Sequence, residues 1–155
     1  MGRQDACAEI EITRRLVSGL YVEAMLLADE VRAYFDEGGR AERDALTPIA
    51  RVGYSCESLK VTTRLMHIIA WLLMHRALEN GEIAAVDMRD PSRRLGEAAP
   101  SDSAAVAMLP DRARALILAS CDLYERVARL DEGLWPVGTA PNPARELYGR
   151  LESVF

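Results

Sequence analysis

The sequence is poor in the residues on which metal sites and disulfide frameworks depend. It contains three cysteines, Cys7, Cys56 and Cys121, which are far apart and form no Cys-x-x-Cys pair. This spacing argues against both a disulfide framework and a zinc knuckle. The two histidines, His67 and His75, have no glutamate three residues before them, so the Glu-x-x-His motif of di-iron bundles is missing. We therefore expect no metal and no cofactor.

Sequence motifs of enzymes are missing as well. The only Gly-Gly pair lies in DEGGR at residues 36–40, follows a helical pattern, and matches neither phosphate-binding fingerprint. No Gly-x-Ser-x-Gly occurs, and no serine or cysteine has a histidine placed by sequence to activate it. We therefore predict that the protein is not an enzyme.

Neither a membrane span nor a strongly basic stretch is present. The most apolar run, Leu65–Met74, has ten residues and includes a histidine, whereas a membrane span needs about 20. The net charge is −5, which argues against bulk attraction to nucleic acid or anionic lipid. The N-terminal residues lack the apolar core of a secretory signal. These features predict a cytoplasmic protein whose partners are neither nucleic acid nor membrane.

The residues that are present follow helical patterns throughout. Half of them are hydrophobic, which is ordinary for a soluble globular protein, and 155 residues suit one domain. Apolar spacings of three and four predict helices at about 13–37, 44–80 and 110–133. A linker occupies 82–109, and a flexible or short-helical tail occupies 136–155. The predicted fold is all-α, an antiparallel three-helix bundle with long helices and an extended linker between helices 2 and 3.

Each predicted helix has an apolar stripe that we expect to face the core. The pairs Gly38-Gly39 and Thr47-Pro48, and Gly81, are typical of helix ends and starts. The stripe of the first helix consists of Leu16, Leu20, Ala24, Leu27, Val31 and Tyr34 or Phe35. That of the second consists of Ile49, Val52, Cys56, Leu59, Thr63, Met66, Ala70, Leu73 and Ala77. That of the third consists of Ala113, Leu116, Ser120, Leu123, Val127, Leu130 and Leu134.

The second helix carries a further apolar stripe, outside the stripe that is predicted to face the core. It consists of Ile68, Trp71, Leu72 and His75. An exposed apolar patch invites association, so protein must cover it. Either the linker folds back, through Ile83, Val86, Met88 and Leu95, or a second copy packs there in a symmetric dimer. We favour these four residues as a dimer interface, because tryptophan is enriched in interface cores.

A polar set on the same helix is a candidate for binding protein partners. It consists of Glu57, Lys60, Arg64 and Arg76. Glu57 and Lys60 are spaced to pair on one face. Arg64 could reach acidic residues of a neighbouring helix, which are Asp29 and Glu30 on the first or Asp122 and Glu125 on the third. The alternative is a solvated helix face whose ion pairs contribute little.

Three stretches of the chain resemble a known family. They are YFDEGGRAERDAL, YSCESLKVTTRLMHIIAWLLMHRALENGEI and ASCDLYERVARLD. They are similar to the alphaproteobacterial regulator of CtrA degradation (RcdA) family, formerly described as a domain of unknown function. The likeness covers about residues 20–131 and is poor in the linker. Its characteristic block corresponds to Glu57, Ser58, Thr62, Thr63, Arg64, Leu65, Met66, Trp71, Leu72 and Leu73.

This resemblance implies a dimeric three-helix bundle without catalytic activity. It also implies an adaptor role in cell-cycle-controlled proteolysis, in which the protein tethers substrates or co-regulators to the ClpXP protease. The expected partners are therefore the protease complex, its substrates or regulatory proteins, and a second copy of the chain.

Two other functions are compatible with the residues. The stretch PIARVGYSCESLKVTTRLMH loosely resembles a helix-turn-helix, which would suit a DNA-binding transcriptional regulator. Against this, the helical seam passes through Gly53 without the phase break that a turn would cause. A pocket in the core of the bundle could instead make the protein a small-molecule sensor.

Overall fold

The computed structural model describes residues 2–136, and all of their regular secondary structure is helical. This confirms the predicted all-α class. The elements are α1 (Gly2–Ala33), a π-helical turn (Tyr34–Gly38), α2 (Arg40–Asp44), α3 (Pro48–Glu79), two 3-10 turns (Ala85–Arg89 and Pro91–Arg93), α4 (Ser103–Ala107) and α5 (Asp111–Leu134). Apart from Pro136, the predicted tail at 136–155 lies outside the described residues.

The first helix is longer than the sequence predicts, because α1 begins at Gly2 rather than near residue 13. Its predicted stripe faces the core from Leu20 onward. The exception is Leu16, which is exposed, while the neighbouring Val17 is fully buried in its place. The inward face of α1 is therefore offset by one residue from the prediction at its start.

The turn after α1 depends on a glycine for close packing. A Cβ atom at Gly39 would overlap the Tyr54 hydroxyl and would lie 2.8 Å from the Tyr34 ring. The φ angle of Gly39 is −92°, so the backbone itself would allow other residues. Tyr34 also donates a hydrogen bond to the Glu42 carboxylate at 2.6 Å, which ties α2 to the end of α1. Gly39 therefore leaves the space that the side chains of Tyr34 and Tyr54 occupy.

The second predicted helix is α3, and the Thr-Pro pair starts it as predicted. The Thr47 hydroxyl accepts a hydrogen bond from the Ala50 N–H at 3.3 Å, which caps the helix. The helix continues without interruption through Gly53, where an added Cβ atom would lie 3.7 Å from the Cβ atom of Ala105. A helix-turn-helix would need a turn at this point, so that hypothesis is wrong.

The two helices α3 and α5 run in the same direction, which corrects the predicted antiparallel arrangement. Arg64 of α3 contacts Ser120 of α5, and Trp71, further along α3, contacts Asp131, further along α5. The helix α1 runs opposite to α5, as shown by its ion pairs Glu30–Arg112 and Glu23–Arg126. The physical reason is that the linker at 82–109 is long enough to return the chain to the start of α3.

We name residues 82–109 the strap, because they run back over the faces of α3 and α5. The Tyr124 hydroxyl donates a hydrogen bond to the Gly96 carbonyl at 2.7 Å. A Cβ atom at Gly96 would overlap the His67 ring, so only glycine allows this approach. Of the linker residues expected to fold back, Met88 is fully buried, Ile83 and Leu95 are half-buried, and Val86 is exposed.

The inward face of α3 is the reverse of the predicted one. The buried residues of α3 are Ala50, Tyr54, Glu57, Val61, Arg64, Leu65, Ile68, Trp71, Leu72 and His75. The predicted seam is exposed from Ile49 to Leu73, and Ala77 is half-buried. Both stripes of α3 have helical spacing, and α1, α5 and the strap together cover the one that contains charged and aromatic residues. On α5, in contrast, the predicted stripe is the buried one.

Candidate protein-interaction site

Three of the four residues predicted to bind partners lie together on the face of α3 that the strap covers. Glu57 and Arg64 are buried and Lys60 is half-buried. The fourth residue, Arg76, is exposed on the side of α1, where its guanidinium lies 4.4 Å from the centre of the Tyr21 ring. The four residues therefore do not form one surface.

Glu57 anchors the strap through one of its carboxylate oxygens. The side chain is 1% exposed, and Oε1 accepts hydrogen bonds from Lys60 Nζ at 3.0 Å and from the Asp102 N–H at 3.2 Å. Burial alone would raise the pKa of Glu57, but the adjacent Ser101 hydroxyl, the Lys60 ammonium and the Asp102 N–H favour the charged form. Together they hold the pKa of Glu57 below its ordinary value. The carboxylate is therefore ionised and binds the strap.

Arg64 is the second anchor, and it is only 2% exposed. Its guanidinium donates hydrogen bonds to Ser120 Oγ at 2.8 Å, to the Ala99 carbonyl at 3.1 Å and to Ser101 Oγ at 2.8 Å. The predicted acidic partners on the neighbouring helices are not among these acceptors, which are all neutral. The side chain joins α3, α5 and the strap.

The residues predicted to form a dimer interface are buried within the chain. Ile68, Trp71, Leu72 and His75 are each 3% exposed or less. The Trp71 and His75 rings stack with their centres 3.7 Å apart, and burial lowers the pKa of His75. These side chains have no surface to offer a second copy, because Trp71 contacts Asp131, His75 contacts Trp135, and Ile68 and Leu72 lie in the hydrophobic core. The linker does fold back on this part of α3, where Arg93 contacts Met74 and Gly96 lies against His67.

A third anchor was missed from the sequence because its members are far apart in the chain. Asp131 of α5 accepts a hydrogen bond from the Trp71 indole N–H at 2.8 Å, and it pairs with Arg94 of the strap at 2.9 Å. The Trp135 indole N–H donates a hydrogen bond to His75 Nε2 at 2.8 Å. Arg94 lies in a polar linker, and no pattern among its neighbours in the sequence indicates that its partner is Asp131.

The strongest candidate for binding a protein is the predicted core seam, which the structure places on the outer surface. We name this face of α3 the outer seam; its apolar members are Ile49, Val52, Cys56, Leu59, Met66, Ala70 and Leu73. Leu59 is 69% exposed and Met66 is 66% exposed. Steps of three and four along one helix suit packing against another helix.

Membrane and metal sites have no candidates in the described part of the chain. No helix there combines the length and apolar character that crossing a membrane requires. Within residues 2–136, no group of three or more His, Cys, Asp and Glu side chains is placed to hold a metal ion.

Comparison with known proteins places the chain in a family. The family model described as "Protein of unknown function (DUF1465)" matches residues 8–155. Among solved structures, the chain is similar to RcdA from Caulobacter crescentus CB15, with 33% sequence identity and a TM-score of 0.64, over 77% of this chain and 91% of that chain. None of the curated proteins matches. The resemblance seen in the sequence is confirmed, and the chain belongs to the RcdA-like DUF1465 family.

Proposed function

We propose that the protein is a cytoplasmic, non-enzymatic adaptor in regulated proteolysis, which brings substrates or co-regulators to the ClpXP protease. The observation that carries this proposal is the similarity to RcdA, at 33% identity over 91% of that chain. RcdA is a regulator of CtrA degradation, and a member of the same family is expected to act on the turnover of cell-cycle regulators.

The geometry suits an adaptor. An adaptor accelerates a reaction by holding two proteins near each other, so that one finds the other at a raised effective concentration. This requires binding surface for more than one protein, and the outer seam supplies a row of exposed apolar side chains along α3 for one of them. The buried polar residues Glu57 and Arg64 keep α3 and the strap in one arrangement, which preserves that surface.

We expect loss of the protein to lengthen the half-lives of a defined set of proteins in the cell. Half-lives are measured across the proteome after translation is blocked, in cells with and without the gene. The set that persists should overlap strongly with the set that persists when the ClpX unfoldase is depleted. Restoring the wild-type gene should return those half-lives to normal.

Two results would count against the adaptor role. In the first, no protein changes its half-life when the gene is removed. In the second, the proteins that persist are unrelated to those that depend on ClpX. The variant Val86→Lys serves as a complementation control, because Val86 is 68% exposed and belongs to the strap, not to the outer seam.

The outer seam also supports a homodimer, which we place there instead of on the stripe around Trp71. Exposed apolar side chains recur along it at helical spacing from Ile49 to Leu73, and a monomer rarely leaves so extended an apolar face uncovered. A second copy of α3 has the matching seam, so that a two-fold axis would bring like surfaces together.

The variant Leu59→Lys/Met66→Lys is expected to weaken this dimer, raising its dissociation constant at least about 100-fold, because each copy would bury two unpaired charges. Sedimentation equilibrium of the purified proteins measures the change. Val86→Lys is the matched control, since Val86 and Leu59 are almost equally exposed. A double variant that sediments like the wild type would show that copies do not meet at this seam.

A further inference from the structure

Just after the end of α5, the side chain of Trp135 reaches back to α3. Its indole N–H donates a hydrogen bond to Nε2 of His75 at 2.8 Å. The two ring centres are 6.0 Å apart and the ring planes are inclined by 60°, so the indole meets the edge of the imidazole. The other ring nitrogen of His75, Nδ1, lies 3.1 Å from the Trp71 carbonyl oxygen. Both nitrogens of His75 therefore have partners inside the protein.

These two partners determine where the proton of His75 lies. An indole nitrogen can only donate a hydrogen bond, and a carbonyl oxygen can only accept one. Nε2 must therefore accept and carry no proton, whereas Nδ1 must carry the proton and donate it to the Trp71 carbonyl. Only the neutral ring with its proton on Nδ1 makes both bonds. A proton added to Nε2 would place two N–H groups against each other, and the hydrogen bond to Trp135 would be lost.

The surroundings of His75 favour this neutral form. His75 is 3% exposed, and burial lowers the pKa of His75 from its ordinary value. Asp131 of α5 favours the charged form, but Arg94 of the strap pairs with that carboxylate. The remaining charged groups near this end of α3 are Arg76 and Glu79 of α3, Glu11 and Arg14 of α1, which face Glu79, and Arg93 of the strap, which contacts Met74.

A proton on Nε2 would break one contact of His75 and leave its others intact. Nδ1 keeps its hydrogen in the charged ring, so the bond to the Trp71 carbonyl persists. The stack on the Trp71 ring, at 3.7 Å between centres, also persists, because an aromatic face attracts a cation. Trp135 is only half-buried, and its side chain can therefore move aside for water. The loss is confined to the bond between His75 and Trp135.

We propose that His75 and Trp135 form a pH-sensitive latch, which is closed while His75 is neutral and opens when Nε2 takes up a proton. The closed latch holds the Trp135 side chain on α3 and fixes the chain at Pro136, from which residues 137–155 continue. Opening it also reshapes the groove of about 950 Å³ that Trp135 lines together with Leu95 and Tyr124. This inference does not depend on the adaptor role.

The latch is expected to open as the pH falls below about 6.5, the ordinary pKa of histidine. The folded protein binds the proton more weakly than the unfolded chain, so the stability from the closed latch is complete above that pH and is lost below it. The chain has two tryptophans, and both indole N–H groups donate hydrogen bonds, that of Trp71 to Asp131. The second indole is therefore an internal reference.

NMR of protein labelled with ¹⁵N in its indole groups measures how fast each indole N–H exchanges with water. Between about pH 8 and about pH 5, we expect the rate for Trp135 to rise at least about tenfold relative to that for Trp71. Taking the ratio cancels the effect of pH on exchange itself. The rise should follow the titration of the His75 ring signals.

Three variants test the origin of this rise. His75→Phe keeps a ring beside Trp71 but removes the acceptor, so the ratio should be high at every pH. Trp135→Phe leaves His75 in place but removes the bond that favours its neutral form, so the pKa of His75 should rise. His67→Phe, which replaces the other histidine of α3, is the matched control and should behave like the wild type.

Three results would overturn the latch. In the first, the ratio stays constant down to about pH 5. In the second, the ratio still rises with acid in His75→Phe. In the third, both indoles lose protection together, which would show that acid unfolds the whole protein. If His75→Phe does not fold, the wild-type titration and the pKa of His75 in Trp135→Phe decide the question.

Discussion

Replacing Arg64 with methionine is expected to lower the free energy of unfolding by about 3 kcal/mol and to release the middle of the strap. Methionine fills much of the same volume, but it donates none of the three hydrogen bonds that the guanidinium makes to Ser120, Ala99 and Ser101. Hydrogen bonds from a charged group contribute about 1.5–3 kcal/mol each, and water recovers part of that loss once the strap opens. Urea unfolding followed by circular dichroism measures the change.

A second measurement separates release of the strap from general unfolding. The strap contains the arginines Arg89, Arg93 and Arg94, at which trypsin can cut once the segment opens. In Arg64→Met we expect cleavage there to become faster than cleavage within α1 or α5. The matched control is Arg76→Met, which removes an exposed cation over the Tyr21 ring and should cost about 0.5–1 kcal/mol. Equal losses in the two variants would contradict the anchoring role of Arg64.

Replacing Asp131 with alanine is expected to lower the free energy of unfolding by about 3–4 kcal/mol. The carboxylate accepts the Trp71 indole N–H and pairs through both oxygens with Arg94. Its side chain is 8% exposed and that of Arg94 is 19% exposed. Removing one member of a buried pair leaves the other charge uncompensated, which is more costly than losing an exposed pair. Urea unfolding, read by circular dichroism and tryptophan fluorescence, measures the loss.

Two further variants define what Asp131 contributes. Glu132→Ala changes the exposed neighbouring carboxylate and should alter the free energy of unfolding by no more than about 0.5 kcal/mol. The double variant Asp131→Ala/Arg94→Met closes a double-mutant cycle. The two losses should not add, because both remove the same ion pair. Additive losses would show that Arg94 and Asp131 are not coupled in solution.

Several features of the fold could be read from neighbouring residues. The Thr47-Pro48 pair starts α3 because the threonine hydroxyl satisfies a free N–H of the first turn and proline needs no such acceptor. The left-handed conformation of Gly81, with φ of 74°, follows the end of α3 as expected of glycine. The stripe of α5 was predicted correctly because that helix has a single apolar face. The family was also recognisable, through the block that begins at Glu57.

Which face of α3 is buried could not be predicted from neighbouring residues. The stripe with Ile49, Leu59 and Met66 and the stripe with Ile68, Trp71 and Leu72 both have helical spacing, so periodicity alone cannot tell which one is buried. The exposed stripe is the more uniformly apolar of the two, and it was therefore the natural choice for the core. For the same reason, the stripe that was predicted to face the core is exposed, and the stripe that was predicted to form a dimer interface is buried.

Local residue chemistry was thus sufficient for the start and end of α3, helical content and family membership, since capping, turn preference and apolar spacing act within a few residues. The inward face of α3 and its shared direction with α5 depend on contacts between distant residues. Glu57 with Asp102, Arg64 with Ser120 and Asp131 with Arg94 meet across 37 to 56 positions of the chain. These buried charged side chains reach their partners only after the strap has folded back over α3 and α5. The packing of the whole chain, and not the sequence of any single helix, therefore determines which surface stays exposed to partners.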